Sequence, residues 1–431
     1  MDDKHPASEP EAEELTEQEN MDPTEAQPDE ADRPEAPEAP EKAEKRPAPK
    51  RRKADAAEET PRRSRTLRRI LAGILTLLLI VLAVLVFVFR DELTGAGLRR
   101  IFGREAAEAA AREAFTYETG AEQVFAPAGD GLAVASGACV QLLRSDGSTV
   151  FKQVVSYERP AVFGSEKGAL FCELGGTGCI FADFVGAFRS PEKGGDILTA
   201  GMNENGWFCL VTAEPGYKAL VSVYNSECEK QYEWWSGSGY VLRAALSPDN
   251  RTLAVLCAEQ EGARLHFFAL NSETERGSAA VADTLLIDLC YLSNDSVCAV
   301  GEQGLWFFSD TGAERGQYLL DGRYLLDYEF GRAGFVTVFA GAYRSGAGGT
   351  LLTLGSDGRV QGSAALERDV ISLSAVGRQV LVMTGDSLAL YNQDLVRQSA
   401  NETLMTAKRA ILRPAGDILL LHAYSAERFS F

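Results

Sequence analysis

The sequence predicts an all-β fold, a β-propeller of eight blades, preceded by one transmembrane helix and a disordered N-terminal tail. One observation is an uncharged run of twenty residues, Ile70 to Phe89. A second is a strand and turn pattern that recurs eight times from about residue 121 to the C-terminus. A third is a biased composition before the run. Together they predict four segments, with bounds 1–69, 70–89, 90–113 and 114–431.

The first 69 residues divide into an acidic tail and a basic collar. Residues 1–41 hold 16 acidic and 2 basic side chains, whereas residues 42–69 hold 12 basic and 4 acidic ones. Residues 1–60 lack aromatic residues and contain Leu15 as their single large aliphatic residue. Such a segment buries too little apolar surface to offset chain entropy, so it is predicted to be disordered. The collar is interpreted as a topology signal with a solvated linker, or as a site for anionic lipid or a partner.

The run ILAGILTLLLIVLAVLVFVF at residues 70–89 predicts a transmembrane helix. As a helix it is about 30 Å long, which matches the hydrocarbon core of a bilayer. A buried core helix is the alternative, but such helices rarely stay apolar on every face for this length. Five arginines precede the run at positions 62, 63, 65, 68 and 69. This bias predicts a cytoplasmic N-terminus and an extracytoplasmic C-terminal part in the cell membrane.

Residues 90–113 are predicted to form a helical stalk. The segment EAAEAAAREAF from Glu105 to Phe115 consists mainly of strong helix formers. It is too short and too rich in alanine to pack a core of its own.

The rest of the chain is predicted to form the propeller. Each unit contains four short strands, and the second strand gives the clearest register. The equivalent apolar residues are Leu132, Leu170, Trp207, Leu253, Val297, Phe335, Val380 and Ile418. Their spacings are 38, 37, 46, 44, 38, 45 and 38 residues. Four short strands at this period are typical of a β-propeller, whereas a solenoid needs a shorter or helical period. Eight units favour eight blades, and a seven-bladed ring with one irregular unit is the alternative.

The turns and the ends of the repeat fit the same architecture. Segments such as VQLLRSDGST and LLTLGSDGRV place Asp-Gly pairs between apolar runs, which is hairpin turn chemistry. The second unit, GCIFADFVGAFR, is a weaker match. The last unit stops after its third strand, so Ala114 to Thr119 is predicted to supply the fourth strand. That pairing joins the two ends of the chain and removes two open sheet edges.

The alternation of strands and DG-type turns resembles the quinoprotein-like and WD40-like propeller superfamilies. The whole layout resembles a family of single-pass bacterial membrane proteins with an extracytoplasmic propeller and no assigned function. The resemblance covers nearly the full chain and rests on architecture. It implies a fold and a location, and very little chemistry.

The sequence predicts no catalytic, cofactor-binding or metal-ligating residue, and no cofactor. His266 and His422 lie in apolar runs and are interpreted as strand residues. No vicinal cysteine pair is present, which argues against the quinone cofactor of dehydrogenases of similar shape. The segment SPDNRT, Ser247 to Thr252, resembles a TolB-like turn and is interpreted as structural. Acids recur at matching turns, and a pair of them is the alternative basis for an enzyme. These acids are Asp130, Asp146, Asp249, Asp310, Asp357 and Asp417.

Eight cysteines follow the apolar run, and most lie in strand-like segments where cysteine serves as a small hydrophobic residue. They are Cys139, Cys172, Cys179, Cys209, Cys228, Cys257, Cys290 and Cys298. Cys172 and Cys179 flank the turn ELGGTG and form the best candidate pair. Trp234 and Trp235 are adjacent, and one is expected to pack inward while the other is exposed.

Three functions follow from this organisation. The first is a membrane-anchored binding or scaffold module that acts without enzymatic activity on an envelope protein or polymer. The second is a transmembrane sensor whose tail binds a cytoplasmic partner. The third is an ectoenzyme with acids in the propeller channel. The lipid bilayer is a predicted partner of the helix. Nucleic acid is not, because the basic collar lacks interleaved aromatic residues and a fold.

Overall fold

The computed structural model describes residues 114–331, 333–344, 348–402 and 405–431. The predicted tail, transmembrane helix and stalk lie outside these residues. Within the described ranges, no helix is long and apolar enough to cross a membrane. All the regular elements described there are β-strands.

The strands form eight antiparallel sheets of four strands, and each sheet is one blade of a propeller. The all-β, eight-bladed prediction is therefore confirmed. Blade 1 contains β2 (Val124–Ala128), β3 (Gly131–Ala135), β4 (Cys139–Leu143) and β5 (Thr149–Val154). Blade 2 contains β6 (Pro160–Gly164), β7 (Gly168–Glu173), β8 (Cys179–Asp183) and β9 (Phe188–Arg189). Blade 3 contains β10 (Ile197–Met202), β11 (Phe208–Thr212), β12 (Ala219–Tyr224) and β13 (Lys230–Ser236). Blade 4 contains β14 (Tyr240–Leu246), β15 (Thr252–Glu259), β16 (Gly262–Ala269) and β17 (Glu275–Ala282).

The remaining blades repeat this order. Blade 5 contains β18 (Leu286–Ser293), β19 (Ser296–Gly301), β20 (Gly304–Ser309) and β21 (Glu314–Leu319). Blade 6 contains β22 (Tyr324–Phe330), β23 (Phe335–Gly341), β24 (Gly349–Gly355) and β25 (Val360–Leu366). Blade 7 contains β26 (Ser372–Val376), β27 (Gln379–Met383), β28 (Leu388–Asn392) and β29 (Arg397–Asn401). Blade 8 contains β30 (Arg409–Leu412), β31 (Ile418–Leu421), β32 (Ser425–Phe429) and, from the start of the domain, β1 (Ala114–Thr116).

Burial explains why the second strand gave the clearest sequence signal. Strands such as β3 and β27 are buried along nearly their whole length, because neighbouring blades cover both of their faces. A strand covered on both faces is a continuous apolar run in the sequence. Seven of the eight predicted positions lie in second strands. Trp207 was assigned one residue too early: it precedes β11 and is half-buried, and Phe208 takes the buried position.

Eight apolar clusters form the core, one between each pair of adjacent blades. Between blades 2 and 3, the Phe208 ring stacks on Phe181 and Tyr224, with centroid distances of 6.0 and 5.1 Å. Each blade therefore buries its two faces against two neighbours, and a closed ring leaves no face uncovered. The weak second unit has a physical counterpart, since its outer strand β9 has two residues and Pro191 follows soon after.

The predicted closure by the N-terminal strand is confirmed. Strand β1 pairs with β32, with Ala114 opposite Glu427 and Thr116 opposite Ser425. The Tyr117 hydroxyl donates to the carbonyl oxygens of His422 and Ser425, at 2.7 and 3.0 Å. Strand pairing ends at Thr116, three residues before the predicted end of the segment.

A buried ion pair fixes the last blade to the first one. The Arg413 side chain is 1% exposed, and its guanidinium donates to both carboxylate oxygens of Asp417. It also donates to the carbonyl oxygen of Asp130, which lies in the first turn of blade 1. Blades 8 and 1 are thus joined by this contact and by an apolar cluster that includes Tyr117.

Candidate functional site

The two faces of the propeller differ in chemistry. We call the face where the inner strand of each blade begins the entry face. It carries the connections between blades and the turns between second and third strands. The opposite face, the exit face, carries the turns between first and second strands and those between third and fourth strands. Antiparallel pairing within every blade fixes this assignment.

The turn acids identified in the sequence lie on the exit face and serve the turns. Asp146 accepts a hydrogen bond from the Ser148 N–H at 2.8 Å, and hydrogen bonding to Ser148 holds the pKa of its carboxyl below the ordinary value. Asp357 accepts from the Arg359 N–H at 3.1 Å in the same way. Asp310 forms an ion pair with Arg276 at 2.8 Å. In the part of the chain that the structure describes, no group of three or more His, Cys, Asp or Glu is placed to hold a metal.

The segment SPDNRT forms a turn held by its own polar groups, as predicted. The Ser247 hydroxyl accepts from the N–H groups of Arg251 and Thr252, at 3.2 and 3.0 Å, and donates to Asp249. Asn250 adopts a left-handed backbone with φ of 60°, which asparagine tolerates better than most residues. The Ser247 hydroxyl and the Asp249 carboxylate are thus occupied within the turn, whereas the Asn250 amide oxygen accepts a hydrogen bond from Asn203 Nδ2 of blade 3 at 2.6 Å.

His266 and His422 are each paired with a glutamate. His266 lies in β16 as expected, with Nδ1 at 2.9 Å from Glu275 Oε1. His422 lies one residue beyond β31, with Nε2 at 3.6 Å from Glu427 Oε2. The expectation for the tryptophan pair is confirmed. Trp234 is half-buried and contacts His266, whereas Trp235 is 44% exposed.

Exposed apolar side chains concentrate on the entry face. Twelve of the seventeen large exposed apolar side chains in the described ranges lie there. Nine of the twelve belong to blades 3 to 6 or to the connections that enter them. They are Leu198, Tyr217, Trp235, Tyr240, Leu285, Ile287, Leu319, Tyr324 and Tyr343. We call this set the entry patch. Its members lie at strand ends and in turns, where no sequence period marks them.

The inner strands of the same four blades share a β-bulge. The register of each shifts near its entry end, at Leu198, Leu242, Ile287 and Leu326. A bulge turns neighbouring side chains in new directions. Leu198 and Ile287 are exposed by it, whereas Leu242 and Leu326 pack against core clusters between blades. Sequence reasoning missed these bulges, since one extra residue in an apolar strand leaves no clear trace.

The residue after each bulge is polar, and three of these residues belong to a chain of contacts across blades 3 to 6. The Arg243 guanidinium donates to Thr199 Oγ1 at 2.9 Å and pairs with Asp288 Oδ1 at 3.1 Å. The Tyr328 hydroxyl donates to Asp288 Oδ2 at 2.9 Å. Burial raises the pKa of Tyr328, and the Asp288 carboxylate adds to the shift. This chain links the inner strands of four blades beneath the entry patch.

Asp327 follows the fourth bulge and has a different environment. Its carboxylate accepts a hydrogen bond from the Tyr328 N–H at 2.8 Å. Burial raises its pKa above the ordinary value, because desolvation disfavours the charged form, while that hydrogen bond and the charge of Arg409 oppose the shift.

Two cations beside the entry patch lie over the rings of its tyrosines. Lys218 Nζ lies 4.6 Å from the ring centroid of Tyr240. The Arg344 guanidinium lies 5.2 Å from the ring centroid of Tyr324. Five acids border the patch and make no ion pair within the described ranges. They are Glu214, Glu261, Asp283, Glu302 and Asp321. The patch therefore combines aromatic surface with bordering carboxylates that form no ion pair in the described ranges.

Comparison with known proteins gives the chain a family. Residues 107–411 match a family model described as a family of unknown function, DUF5711. The chain belongs to this family. The matched residues cover most of the propeller and include the whole entry patch. A search of curated protein sequences found no match.

Solved structures of other proteins are similar in fold to this DUF5711 member. One is the C-terminal WD40 domain of Sif2, with a TM-score of 0.52 and 9% identity over 73% of this chain and 96% of that domain. Another is BamB from Moraxella catarrhalis, with a TM-score of 0.46 and 16% identity over 74% of this chain and 96% of BamB. At these identities the likeness to the WD40 domain shows a shared propeller fold and transfers no residue roles.

Proposed function

We propose that this chain is a membrane-anchored, extracytoplasmic propeller that binds a protein partner in the cell envelope through the entry patch. The observation that supports the proposal most is the uneven distribution of exposed apolar side chains. Nine of the seventeen in the described ranges lie on one face of four adjacent blades. Large apolar side chains exposed together on one face of a domain are typical of an interaction surface.

The composition of the patch favours a protein as the partner. Trp235 and the tyrosines Tyr217, Tyr240, Tyr324 and Tyr343 supply large, rigid side chains with a polar end. Tryptophan and tyrosine are enriched at the centres of protein interfaces, where a few such residues provide most of the binding free energy.

The charge of the patch indicates what the partner carries. Its bordering acids make no ion pair in the described ranges, and the nearby cations Lys218 and Arg344 lie over the rings of Tyr240 and Tyr324. A complementary partner segment therefore presents Lys or Arg among apolar side chains. Side-chain contacts connect the inner strands of the four blades on this side, through Thr199, Arg243, Asp288 and Tyr328.

Membrane anchoring is the second part of the proposal. It rests on the uncharged run at residues 70–89 and on the arginines before it. Epitope tags at the two ends test the orientation. The outer layers of the cells are opened so that an antibody reaches the cell membrane, which itself stays intact. An impermeant antibody should then bind a tag placed after Phe431 and should not bind a tag placed before Met1. Binding of the N-terminal tag alone would mean that the orientation is reversed.

The proposal assigns binding and no catalytic step to the propeller. The acids that would serve a glycosidase lie at separate turns of the exit face, where Asp146 and Asp357 hold backbone N–H groups. Retaining and inverting glycosidases both need two carboxyl groups that flank one bond.

Site-specific photo-crosslinking of the full-length protein in cells tests the binding surface. A benzophenone amino acid is placed at Tyr240 or Tyr324 on the entry face, and at Val185 or Val396 on the exit face as matched exposed controls. We expect one shared protein adduct from both entry positions, linked through a segment rich in Lys or Arg and apolar residues. Neither control position should give it. Equal adducts from all four positions, or linkage to a second copy of this chain, would contradict the proposal.

A further inference from the structure

We propose that Cys172 and Cys179 form a disulfide across the hairpin of β7 and β8. This inference is independent of the proposed binding function. The two residues are directly opposite each other in the register of the hairpin. Their Sγ atoms lie 3.3 Å apart, and their side chains are 0% and 4% exposed. Two thiols in contact inside a packed core are already in position to be joined.

The hydrogen-bond pattern of the hairpin places Cys172 and Cys179 opposite each other at a position that suits a disulfide. The Glu173 N–H donates to the Gly178 carbonyl oxygen at 2.9 Å, so Glu173 and Gly178 are a hydrogen-bonded pair. The next pair in an antiparallel ladder is a non-hydrogen-bonded one, with Cα atoms about 4.5 Å apart and side chains close together. This separation lies within the Cα distances of about 4.4 to 6.8 Å that disulfides span. The hairpin therefore needs little movement to close the bond.

The surroundings determine when the bond forms. Burial is the main cause that raises the pKa of the Cys172 thiol, and the contact with Cys179 adds to it. A protonated, inaccessible thiol reacts slowly, because the thiolate is the nucleophile. Oxidation therefore takes place during folding, before blade 3 covers the hairpin. Cys228 belongs to the same apolar cluster but is half-exposed, so it serves as a natural control thiol.

The turn of the same hairpin is hydrogen-bonded to the first strand of blade 3. Gly175 N–H donates to the Ile197 carbonyl oxygen, and Ile197 N–H donates to the Gly176 carbonyl oxygen, both at 2.8 Å. Ile197 begins the inner strand of blade 3, and the next residue, Leu198, belongs to the entry patch. A disulfide at the base of this turn fixes the start of blade 3 relative to blade 2.

The reaction is a thiol–disulfide exchange with a disulfide oxidant, either an oxidoreductase or glutathione disulfide. The Cys172 or Cys179 thiolate attacks the oxidant and forms a mixed disulfide, which releases one thiol of the oxidant. The second cysteine then attacks its neighbour's sulfur and releases the other thiol. Two electrons and two protons pass from the protein to the oxidant, and one S–S bond forms in the hairpin.

Mass spectrometry of the full-length protein tests this inference. The protein is reduced and unfolded in detergent and urea, refolded in a glutathione redox buffer, alkylated and then digested with trypsin. Cleavage after Lys167 and Arg189 gives one peptide that contains both cysteines. We expect this peptide to be unalkylated and lighter than its reduced form by two hydrogen atoms. Cleavage at Glu173 should leave two fragments that separate only after reduction.

Variants distinguish a specific bond from random oxidation. Replacement Cys228→Ser should leave the linked peptide unchanged, whereas Cys179→Ser should leave Cys172 open to alkylation once the protein is unfolded. The oxidised wild type should melt at a higher temperature than its reduced form, and C179S should show no such difference. Full alkylation of Cys172 and Cys179 in refolded protein, or linkage of either one mainly to Cys228, would overturn the inference.

Discussion

Replacement of Arg413 by Met tests how the last blade is fixed to the first. The Arg413 guanidinium binds the Asp417 carboxylate within its own blade and the Asp130 carbonyl oxygen in blade 1. The Arg413 side chain is 1% exposed and that of Asp417 is 11% exposed, so water replaces neither partner easily. Methionine fills much of the space of the arginine stem, so the substitution mainly removes the charge and its donors.

The size of the effect follows from the partners that remain. Loss of one partner of a buried ion pair costs about 3–5 kcal/mol, because the other charge stays buried. Arg428 Nε still lies 2.7 Å from Asp417 Oδ2 in the variant, so the lower end of that range applies. The matched control is Arg428→Met, since the Arg428 side chain is 46% exposed. An ion pair of that exposure contributes at most about 1 kcal/mol.

Thermal unfolding of the full-length protein in detergent measures the difference. The entropy of unfolding is about 2.1 cal/mol/K per residue, so a propeller of about 300 residues loses about 1.5 °C in melting temperature per kcal/mol, and R413M should melt about 5 °C lower than the wild type. The melting temperature of R428M should fall by about 1.5 °C or less on the same scale. The double variant R413M/D417L should recover most of the loss, because it removes both buried charges. Equal melting temperatures for R413M and R428M would refute this account of the closure.

Three further substitutions test the closing strand, the contacts between blades 1 and 2, and the ionisation of Asp327. Tyr117→Phe removes a hydroxyl that donates to two carbonyl oxygens of blade 8, and should cost about 1–2 kcal/mol in the free energy of unfolding; an unchanged melting temperature would contradict this role. Gly164→Ala places a Cβ against the Pro127 carbonyl oxygen of blade 1 and should strongly reduce the yield of folded protein, whereas Gly237→Ala, which meets nothing within 4 Å, should not. Asp327→Asn should raise the melting temperature at neutral pH: burial raises the pKa of Asp327 in the folded state above 3.8, so its ionisation costs stability above that folded pKa. The difference in melting temperature between Asp327→Asn and the wild type should become smaller as the pH falls towards 3.8. A constant difference across that range would contradict a raised pKa of Asp327 in the folded state.

The fold could be predicted from the sequence because the sequence repeats. Each blade repeats an apolar second strand, and the missing fourth strand of the last unit pointed to Ala114–Thr119, of which Ala114–Thr116 pairs as the closing strand. The turn roles of Asp146 and of Ser247 were also readable, since local side-chain to backbone hydrogen bonds depend on a few adjacent residues.

The entry patch and the contacts between blades could not be predicted from the sequence, because they depend on long-range packing. Leu198 and Ile287 are exposed because of bulges, and a one-residue insertion in an apolar strand has no distinct sequence period. Arg413 lies beside Pro414 in a segment that reads as a surface turn, and its burial depends on blade 1, some 280 residues earlier in the chain. The contact between Arg243 and Asp288 likewise joins different blades.

The binding affinity of the crosslinked partner for two alanine variants of the full-length protein tests the central claim most directly. Trp235 is 44% exposed within the entry patch, and Val185 is 87% exposed on the exit face. If the entry patch is the binding surface, Trp235→Ala should weaken binding about tenfold or more, since truncating a tryptophan that anchors an interface often costs about 2 kcal/mol or more. Val185→Ala should leave the dissociation constant unchanged. Equal affinity of both variants and the wild type, or a loss with Val185→Ala alone, would contradict the claim that this protein binds its partner through the entry patch.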